Sequence, residues 1–287
     1  MKDKIIGNTK QIKYLDELVE SENISHAYAF TGIEGIGKQL IARYFSEKIL
    51  KQNNLNSSPD FRFIEKAEDA KEIQVDIIRD NLIADIYKKP IISDRKVYII
   101  NDANKMNVAA QNVLLKTLEE PPKYVTIILV STTVDAFLPT IKSRLKEIKF
   151  SKLSKKEILS TIDSEHLENI DNIEFLLDYS NGSIGKFKKV IEKENLEKIK
   201  VLDNYLNVLE EKNIVKAMIE GKNINFKEQE SLNYMQYCYL KKYESTLDFK
   251  YVKCIEILEN TKEKYKFNGN EEIVLDNMII NIIKEIS

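Results

Sequence analysis

A glycine-rich stretch between an apolar run and an amphipathic segment constrains the fold of this chain most strongly. The residues TGIEGIGKQL at positions 31–40 follow the apolar run AYAF and lead into QLIARYFSEKIL. Gly32, Gly37 and Lys38 keep the G-x-x-x-x-G-K spacing of a phosphate-binding loop, which joins the end of a strand to the N-terminus of a helix. A glycine-rich turn without a ligand is the alternative interpretation, and it predicts the same strand and helix.

Short apolar runs alternate with amphipathic stretches through the first half of the chain. The runs AYAF, FRFI, KVYII and YVTIILVST are predicted strands, and the stretches QLIARYFSEKIL, IQVDIIRDNLIADIY and AAQNVLLKTLEE are predicted helices. This alternation requires crossover connections, so it predicts an α/β domain with a mainly parallel sheet and flanking helices. All five prolines lie at or before Pro139, and the later sequence has helical spacing. An all-helical part is therefore expected after about residue 150.

Length, charge and cysteine content narrow the class of protein. The chain has 287 residues, 43% of them hydrophobic, and a net charge of −2, which disfavours electrostatic coating of nucleic acid. Neither a membrane-spanning run nor the apolar core of a signal peptide is present, so a cytoplasmic location without membrane contact is expected. Cys238 and Cys254 form no CxxC pair and are interpreted as reduced packing thiols.

The glycines of the loop have a direct chemical interpretation. Gly32, Gly35 and Gly37 allow successive backbone N–H groups to turn inward around phosphate oxygens at a helix N-terminus. Lys38 would add a positive charge near the outer phosphates. These four residues belong to the predicted cofactor-binding group, which also includes Gln39, Asn101, Asp102 and Thr132.

The metal-handling positions are altered. Gln39 replaces the Ser or Thr whose hydroxyl binds Mg²⁺ in nucleotide-hydrolysing proteins of this kind. At the end of the predicted strand KVYII, Asn101 and Asp102 stand where an active site needs an Asp and then a Glu. Asn101 lacks the negative charge, and Asp102 comes one residue late and has a side chain one methylene shorter than that of the Glu. The sequence therefore predicts a phosphate loop without a working magnesium site.

The segment from Lys96 to Phe150 closely resembles the clamp-loader branch of the AAA+ ATPases. Its signatures are LLKTLEEPP and LPTIKSR, and the altered metal positions resemble those of the delta-prime subunits of bacterial DNA polymerase III. The opening IIGNTKQIKYLDELVESENISHAYAFTG is also similar to that group. The resemblance is strong over 1–150, fair for LLDYSNGSIGKFKKVIE, and only architectural after about 200.

The resemblance implies three domains. They are an AAA+ P-loop domain over 1–150, a small helical lid over 151–200, and a helical C-terminal domain over 201–287. The last would join a collar shared by five subunits. The function implied is that of a non-hydrolysing clamp-loader subunit, acting in DNA replication with motor and delta subunits in a hetero-pentamer. It would contact the sliding clamp indirectly, while direct contact with primer–template DNA stays open.

The resemblance also assigns roles to individual residues. In the family, an Arg in a Ser-Arg-Cys motif reaches across the subunit boundary to the neighbour's ATP, and the match here is Ser143-Arg144-Leu145. Arg144 is therefore expected to be a trans arginine finger, a role that suits its planar, permanently charged guanidinium. Thr132 matches the family's strand-end sensor position, although a threonine that caps the following turn explains it equally well.

Other family features are missing. Gly185 occupies the position of the arginine that senses the γ-phosphate, and Lys186 matches only in a shifted register. The segment KQNNLNSSPDFRF, where many members hold zinc, has no cysteine or histidine, so no zinc or other metal is expected. No cofactor is expected to be required, and residual ATP or ADP binding without hydrolysis stays open. The alternative functions are an active AAA+ motor subunit, or a P-loop kinase or transferase of small molecules.

Two further segments allow two interpretations each. The run KSRLKEIKFSKLSKK, from Lys142 to Lys156, would face a DNA backbone or form the solvated edge of a strand and linker. The tyrosine-rich YMQYCYLKKY, from Tyr234 to Tyr243, would stack on bases or pack between helices, and its helical spacing favours packing.

Overall fold

The chain divides into two compact units. The computed structural model describes residues 5–163, 167, 170–267 and 269–287. The first unit is Met1–Phe187 and the second is Lys188–Ser287. Among the described residues, no helix combines the length and apolar character that crossing a bilayer requires.

A five-stranded parallel sheet forms the centre of the first unit. The strand order is β2-β3-β4-β1-β5, and every neighbouring pair is parallel. The prediction of a parallel sheet is confirmed, and the edge strand β5 lies within the basic run. The strands are β1 (Ala27–Thr31), β2 (Phe61–Ile64), β3 (Lys96–Ile100), β4 (Val125–Val130) and β5 (Lys146–Lys149).

Helices connect the strands and continue beyond them. In the first unit they are α1 (Thr9–Glu20), α2 (Lys38–Leu50), α3 (Val75–Ile78), α4 (Ala84–Ile86), α5 (Val108–Glu119), α6 (Pro139–Lys142), α7 (Lys155–Leu159), α8 (Ile173–Ser180) and the first residues of α9 (Ile184–Val190). The predicted helices after β1 and β3 are confirmed as α2 and α5.

Alternate residues of each strand serve opposite faces of the sheet. Along β1, Tyr28 and Phe30 pack in the core beneath α1 and α2, whereas Ala27 and Ala29 belong to the core beneath α3, α4 and α5. This follows from the two-residue period of a strand. Because both faces are covered, all residues of β1, β3 and β4 are buried, as expected for a parallel sheet.

The stretch IQVDIIRDNLIADIY is not the single regular helix that was predicted. A π-helical segment, Arg79–Ile83, separates α3 from α4. In an α-helix the carbonyl of Ile77 would receive the backbone N–H of Asn81, but here it accepts the side-chain amide of Asn81 at 2.9 Å. Asn81 lies within the π-helical segment, and asparagine is a residue whose side chain can offer the backbone an alternative hydrogen-bond partner.

The second unit consists of helices packed through apolar faces. They are α10 (Lys193–Glu210), α11 (Ile214–Gly221), α12 (Gln229–Thr246), α13 (Lys250–Lys266) and α14 (Glu271–Ile286). The all-helical prediction is confirmed. The boundary predicted at residue 200 falls inside α10, so it does not coincide with the end of a helix. The division of the helical part into lid and collar stays a prediction.

The tyrosine-rich stretch forms α12 and packs inside the second unit. Tyr234 is buried and donates a hydrogen bond to Asp203 Oδ1 at 2.8 Å, and Tyr239 is buried with its ring stacked on Tyr251. These two tyrosines support packing between helices and are not available to stack on bases. Cys238 and Cys254 are both buried free thiols, and burial raises the pKa of each to about 12.

A buried ion pair connects α4 to the sheet. Lys96 on β3, only 2% exposed, donates to Asp85 Oδ2 at 2.7 Å, and the Tyr98 hydroxyl donates to the same oxygen at 2.9 Å. Burial works to raise the pKa of Asp85, but the hydrogen bonds from Lys96 and Tyr98 and the Lys96 charge prevail and hold it below its ordinary value.

We expect Asp85→Asn to lower the free energy of unfolding by about 3 kcal/mol, because it leaves the buried Lys96 ammonium without its counter-charge. The depressed folded pKa of Asp85 means that its stabilisation is present near neutral pH and is lost as the pH falls below about 4. The difference between the two proteins in urea unfolding should therefore shrink in acid.

Asp76→Asn is the matched control for this prediction. Asp76 pairs with Arg79 at 3.3 Å, but both side chains are more than half exposed, so a loss below about 1 kcal/mol is expected. Equal losses from the two substitutions, or a difference that is constant with pH, would contradict the role of the buried pair.

Candidate functional site

The predicted binding residues meet at the carboxyl edge of the sheet. The phosphate loop follows β1, Asn101 and Asp102 follow β3, and Thr132 follows β4. The backbone N–H of Gly32 donates to the carbonyl of Thr132 at 3.2 Å, which joins two of these loops directly. The carboxyl ends of parallel strands are where open α/β sheets bind ligands. The structure thus brings the predicted cofactor-binding group together.

The loop has the conformation that its glycines permit. Gly32, Gly35 and Gly37 have φ values of 144°, 77° and 89°, in the region that residues with a Cβ avoid. Helix α2 begins at Lys38, immediately after the loop. The backbone therefore turns as a phosphate loop must before it enters a helix.

Lys38 is directed into the loop itself. Its side chain is buried, and Nζ donates to the carbonyl oxygens of Gly32 at 2.8 Å and Ile33 at 2.6 Å. Burial lowers the pKa of Lys38, while the charges of Glu34 and Asp102 act in the opposite direction. The ammonium group that would neutralise phosphate is thus occupied by carbonyls of its own loop.

The oxygen ligands that magnesium needs are poorly provided. Gln39 is exposed, Asn101 carries no charge, and Asp102 Oδ2 is paired with Lys105 Nζ at 2.9 Å. Magnesium in nucleotide sites is bound through carboxylates and hydroxyls together with the phosphates. In the part of the chain that the structure describes, no three His, Cys, Asp or Glu side chains are grouped to hold a metal ion. These residues do not fit a magnesium–nucleotide centre.

The start of α9 lies directly on the phosphate loop. The backbone N–H of Gly185 donates to the carbonyl of Gly35 at 2.9 Å. A Cβ added to Gly35 would lie 2.2 Å from Ser183 Oγ, and one added to Gly185 would lie 3.0 Å from the Gly35 Cα. Two backbones therefore meet at a distance that only glycine allows. Sequence reasoning identified Gly185 as a missing arginine but did not find this contact.

Lys186 does not replace the missing arginine. Its Nζ donates to the carbonyl of Tyr179 at 2.8 Å and lies 3.5 Å from the centre of the Tyr179 ring, a cation–π distance. The lysine is thus engaged with α8 of its own lid segment, so the shifted-register alternative has no geometric support.

Arg144 lies at the opposite edge of the sheet from the phosphate loop. Lys146 on β5 is paired with Tyr28 on β1, so Arg144 lies beside the residues just before β1 begins. Gly32, in contrast, lies just after β1 ends. Six residues of strand correspond to roughly 20 Å. Arg144 therefore cannot serve the phosphate loop of its own chain.

Three contacts hold the Arg144 side chain, which is partly exposed. Nη1 donates to the Thr140 carbonyl at 2.7 Å and approaches Ser143 Oγ at 3.4 Å, and Nη2 donates to Glu119 Oε1 at 3.1 Å. Glu119 is the last residue of α5, within the LLKTLEEPP signature. The two signature segments of the sequence are thus in contact through this ion pair.

Most other cations of the basic run have partners. Lys142 pairs with Asp135, Lys152 donates to Asn181 Oδ1, Lys155 pairs with Glu174 and Asp178, and Lys146 lies over the Tyr14 ring. These contacts favour the interpretation of the run as the solvated edge of a strand and linker.

At the sensor position, the hydroxyl that caps the following turn belongs to Thr133 and not to Thr132. The Thr133 hydroxyl accepts a hydrogen bond from the backbone N–H of Asp135 at 3.2 Å.

The parallel sheet, the phosphate loop after β1 and the helical lid segment define a P-loop protein of the AAA+ type. Within that class, the family model described as "DNA polymerase III, delta subunit" matches residues 7–154. The chain belongs to this family, and it is a member of the DNA polymerase III clamp-loader group.

Individual relatives agree with this family. DNA polymerase III subunit gamma of Buchnera aphidicola (Schizaphis graminum strain) is 30% identical over 66% of this chain and 57% of its own length. Subunit delta' of Pseudomonas aeruginosa is 35% identical over 42% of this chain and 41% of its own length. The chain thus spans about half the length of these curated relatives.

A solved structure has the same fold over almost the whole chain. It is a DNA polymerase III gamma subunit-related protein of Thermotoga maritima, with a TM-score of 0.59 and 19% identity. The match covers 96% of this chain and all of the other. The fold assignment therefore includes the helical second unit as well as the sheet.

The lid contact can be tested with two glycines that share a backbone conformation. Gly35→Ala should cost about 1–3 kcal/mol more free energy of unfolding than Gly37→Ala, because overpacking adds to the backbone strain. Both residues have positive φ, but nothing lies within 4 Å of a Cβ at Gly37. Urea unfolding of the two variants measures the difference.

Ser183→Ala provides the internal check on this test. Removing Oγ takes away the atom that a Cβ at residue 35 would strike, so Gly35→Ala combined with Ser183→Ala should recover part of the loss. If Gly35→Ala and Gly37→Ala are equally destabilised, the lid does not press on the loop in solution.

Proposed function

We propose that this chain is a non-hydrolysing, delta-prime-type subunit of a DNA polymerase III clamp loader. It supplies Arg144 to the ATP site of a neighbouring subunit and thereby supports the placement of a sliding clamp on primed DNA. The observation that carries the proposal is the hydrogen bond from Gly185 to Gly35, which sets the lid segment on the phosphate loop.

This contact opposes nucleotide turnover for a physical reason. The space above a phosphate loop must hold the phosphates and the groups that stabilise charge during transfer. Here the backbone of the lid segment occupies the approach to Gly35, and the Lys38 ammonium is bonded to two loop carbonyls. For Lys38 to contact the phosphates of ATP or ADP, its ammonium group would have to leave these two carbonyls. We therefore propose that nucleotide is not required, and that any nucleotide bound would not be hydrolysed.

The position of Arg144 supports a role in trans. It lies at the sheet edge opposite the chain's own phosphate loop, and its guanidinium is partly exposed. A planar guanidinium at a subunit surface suits the charge that spreads over a transferring phosphoryl group. The partners proposed are the motor and delta subunits of a hetero-pentamer, joined through the helical second unit.

An ATP-hydrolysing motor subunit is the second candidate. The intact spacing from Gly32 to Lys38 and the match to relatives named subunit gamma favour it. Gln39, Asn101 and Gly185 oppose it, because each lacks the group that the reaction would use at that position.

The purified chain alone should show almost no ATP turnover. Once it is reconstituted with its cognate motor subunits, delta subunit, clamp and primed DNA, turnover should include a site completed by Arg144. Arg144→Ala should reduce turnover at that site by about 10³-fold, which is the order of magnitude for a trans arginine. Steady-state phosphate release, with assembly confirmed by gel filtration, is the measurement.

Lys142→Ala is the matched control, because it removes the same charge two residues before Arg144, from the last residue of α6, which is paired with Asp135. It should leave turnover unchanged, whereas Arg144→Lys should remain defective because it lacks the planar fork. Strong turnover by the isolated chain that Lys38→Ala abolishes would instead establish the motor subunit.

A further inference from the structure

Helix α5 ends in a way that its own stability does not explain. Its last residue is Glu119, followed by Glu120 and then by Pro121 and Pro122, which stop the helix. Carboxylates at a helix C-terminus oppose the helix dipole, and cations are preferred there. A local rule broken in this way, without a gain for the helix, indicates another use for the side chain.

The carboxylate of Glu119 is used in a hydrogen bond with Arg144. Its Oε1 accepts from Arg144 Nη2 at 3.1 Å, while the Thr140 carbonyl accepts from Nη1 at 2.7 Å. The guanidinium is therefore held between the end of α5 and the end of α6. Within the described residues, the hydrogen bonds of Arg144 use Nη1 and Nη2, so Nε–H is left for an acceptor on another molecule.

We infer that Glu119 is a positioning residue for Arg144, an inference that rests on the proposed trans role of that arginine. Glu119 itself does not touch the neighbour's nucleotide. It fixes the orientation of the guanidinium before the neighbouring subunit arrives, so that the arginine meets the phosphates already ordered.

Fixing an arginine in advance has a measurable benefit. A free arginine side chain has access to many rotamers, and it loses this conformational entropy when it binds. Donors that are already oriented stabilise developing charge without reorganising during the reaction.

The ion pair between Glu119 and Arg144 is expected to contribute little to the free energy of folding. The Arg144 side chain is 34% exposed and that of Glu119 is 50% exposed. Pairs this exposed contribute little to stability. A loss of turnover without a loss of stability therefore separates positioning from a structural role.

The experiment uses the reconstituted clamp loader with its clamp and primed DNA. Glu119→Ala should lower kcat at the completed site by about tenfold, with KM for ATP changed less than about twofold, because orientation and not nucleotide binding is lost. Glu119→Gln, which keeps the shape and an acceptor oxygen, should lie between the wild type and Glu119→Ala. The melting temperature of each variant chain should match that of the wild type.

Glu120→Ala is the matched control, because it removes the same charge from the next residue without a hydrogen bond to Arg144 in the described structure; it should leave kcat unchanged. In an Arg144→Ala background, Glu119→Ala should have no further effect, since the two residues act as a unit.

The outcomes distinguish the two levels of the proposal. If Arg144→Ala leaves turnover intact, the proposed trans role fails. If Arg144→Ala is defective but Glu119→Ala and Glu119→Gln behave as wild type, only the positioning role fails. Faster turnover in Glu119→Ala would also overturn it, because the carboxylate would then restrain Arg144 and not present it.

Discussion

The close contact between the backbones of Gly35 and Gly185 is the interaction on which the organisation of the phosphate loop depends. A phosphate loop with correct spacing, at the carboxyl edge of a parallel sheet, ordinarily indicates a site that binds and hydrolyses nucleotide. Here the N–H of Gly185 donates to the Gly35 carbonyl, and neither residue tolerates a Cβ without displacing its neighbour. The same loop geometry therefore serves as a docking point for the lid segment. Under the proposed function, this contact gives the phosphate loop a structural role that needs no magnesium ligands.

Under the proposed function, the two ends of the parallel strands have separate roles. The carboxyl edge holds the phosphate loop together with Asn101, Asp102 and Thr132. The opposite edge carries Arg144, held by the end of α5. Helix α5 begins shortly after the loop that follows β3 and ends at Glu119, so one rigid element connects both edges. Under the proposed function, the surface that carries Arg144 is the part of this subunit that contributes to the ATP site of its neighbour.

Much of the fold was predictable because its determinants are local. Apolar runs gave the strands, glycines marked the loop after β1, and prolines ended α5, each through short-range patterns. The π-helical segment was missed because apolar spacing predicts a helix but does not predict a single wider turn within it. The lid contact was missed because Gly35 and Gly185 are 150 residues apart and touch through backbone atoms, which leave no pattern of side chains; glycine at both positions was the available signal. The contact between Glu119 and Arg144 likewise joins two motifs that the sequence shows only separately.

Gly185 also limits which residues the chain can accept at this position. An arginine at position 185 would place its Cβ 3.0 Å from the Cα of Gly35. The backbone at the start of α9 would have to shift away from Gly35 by a few tenths of an ångström to accommodate that carbon. The contact between Gly35 and Gly185 therefore favours the smallest residue at position 185 as long as the start of α9 stays in place.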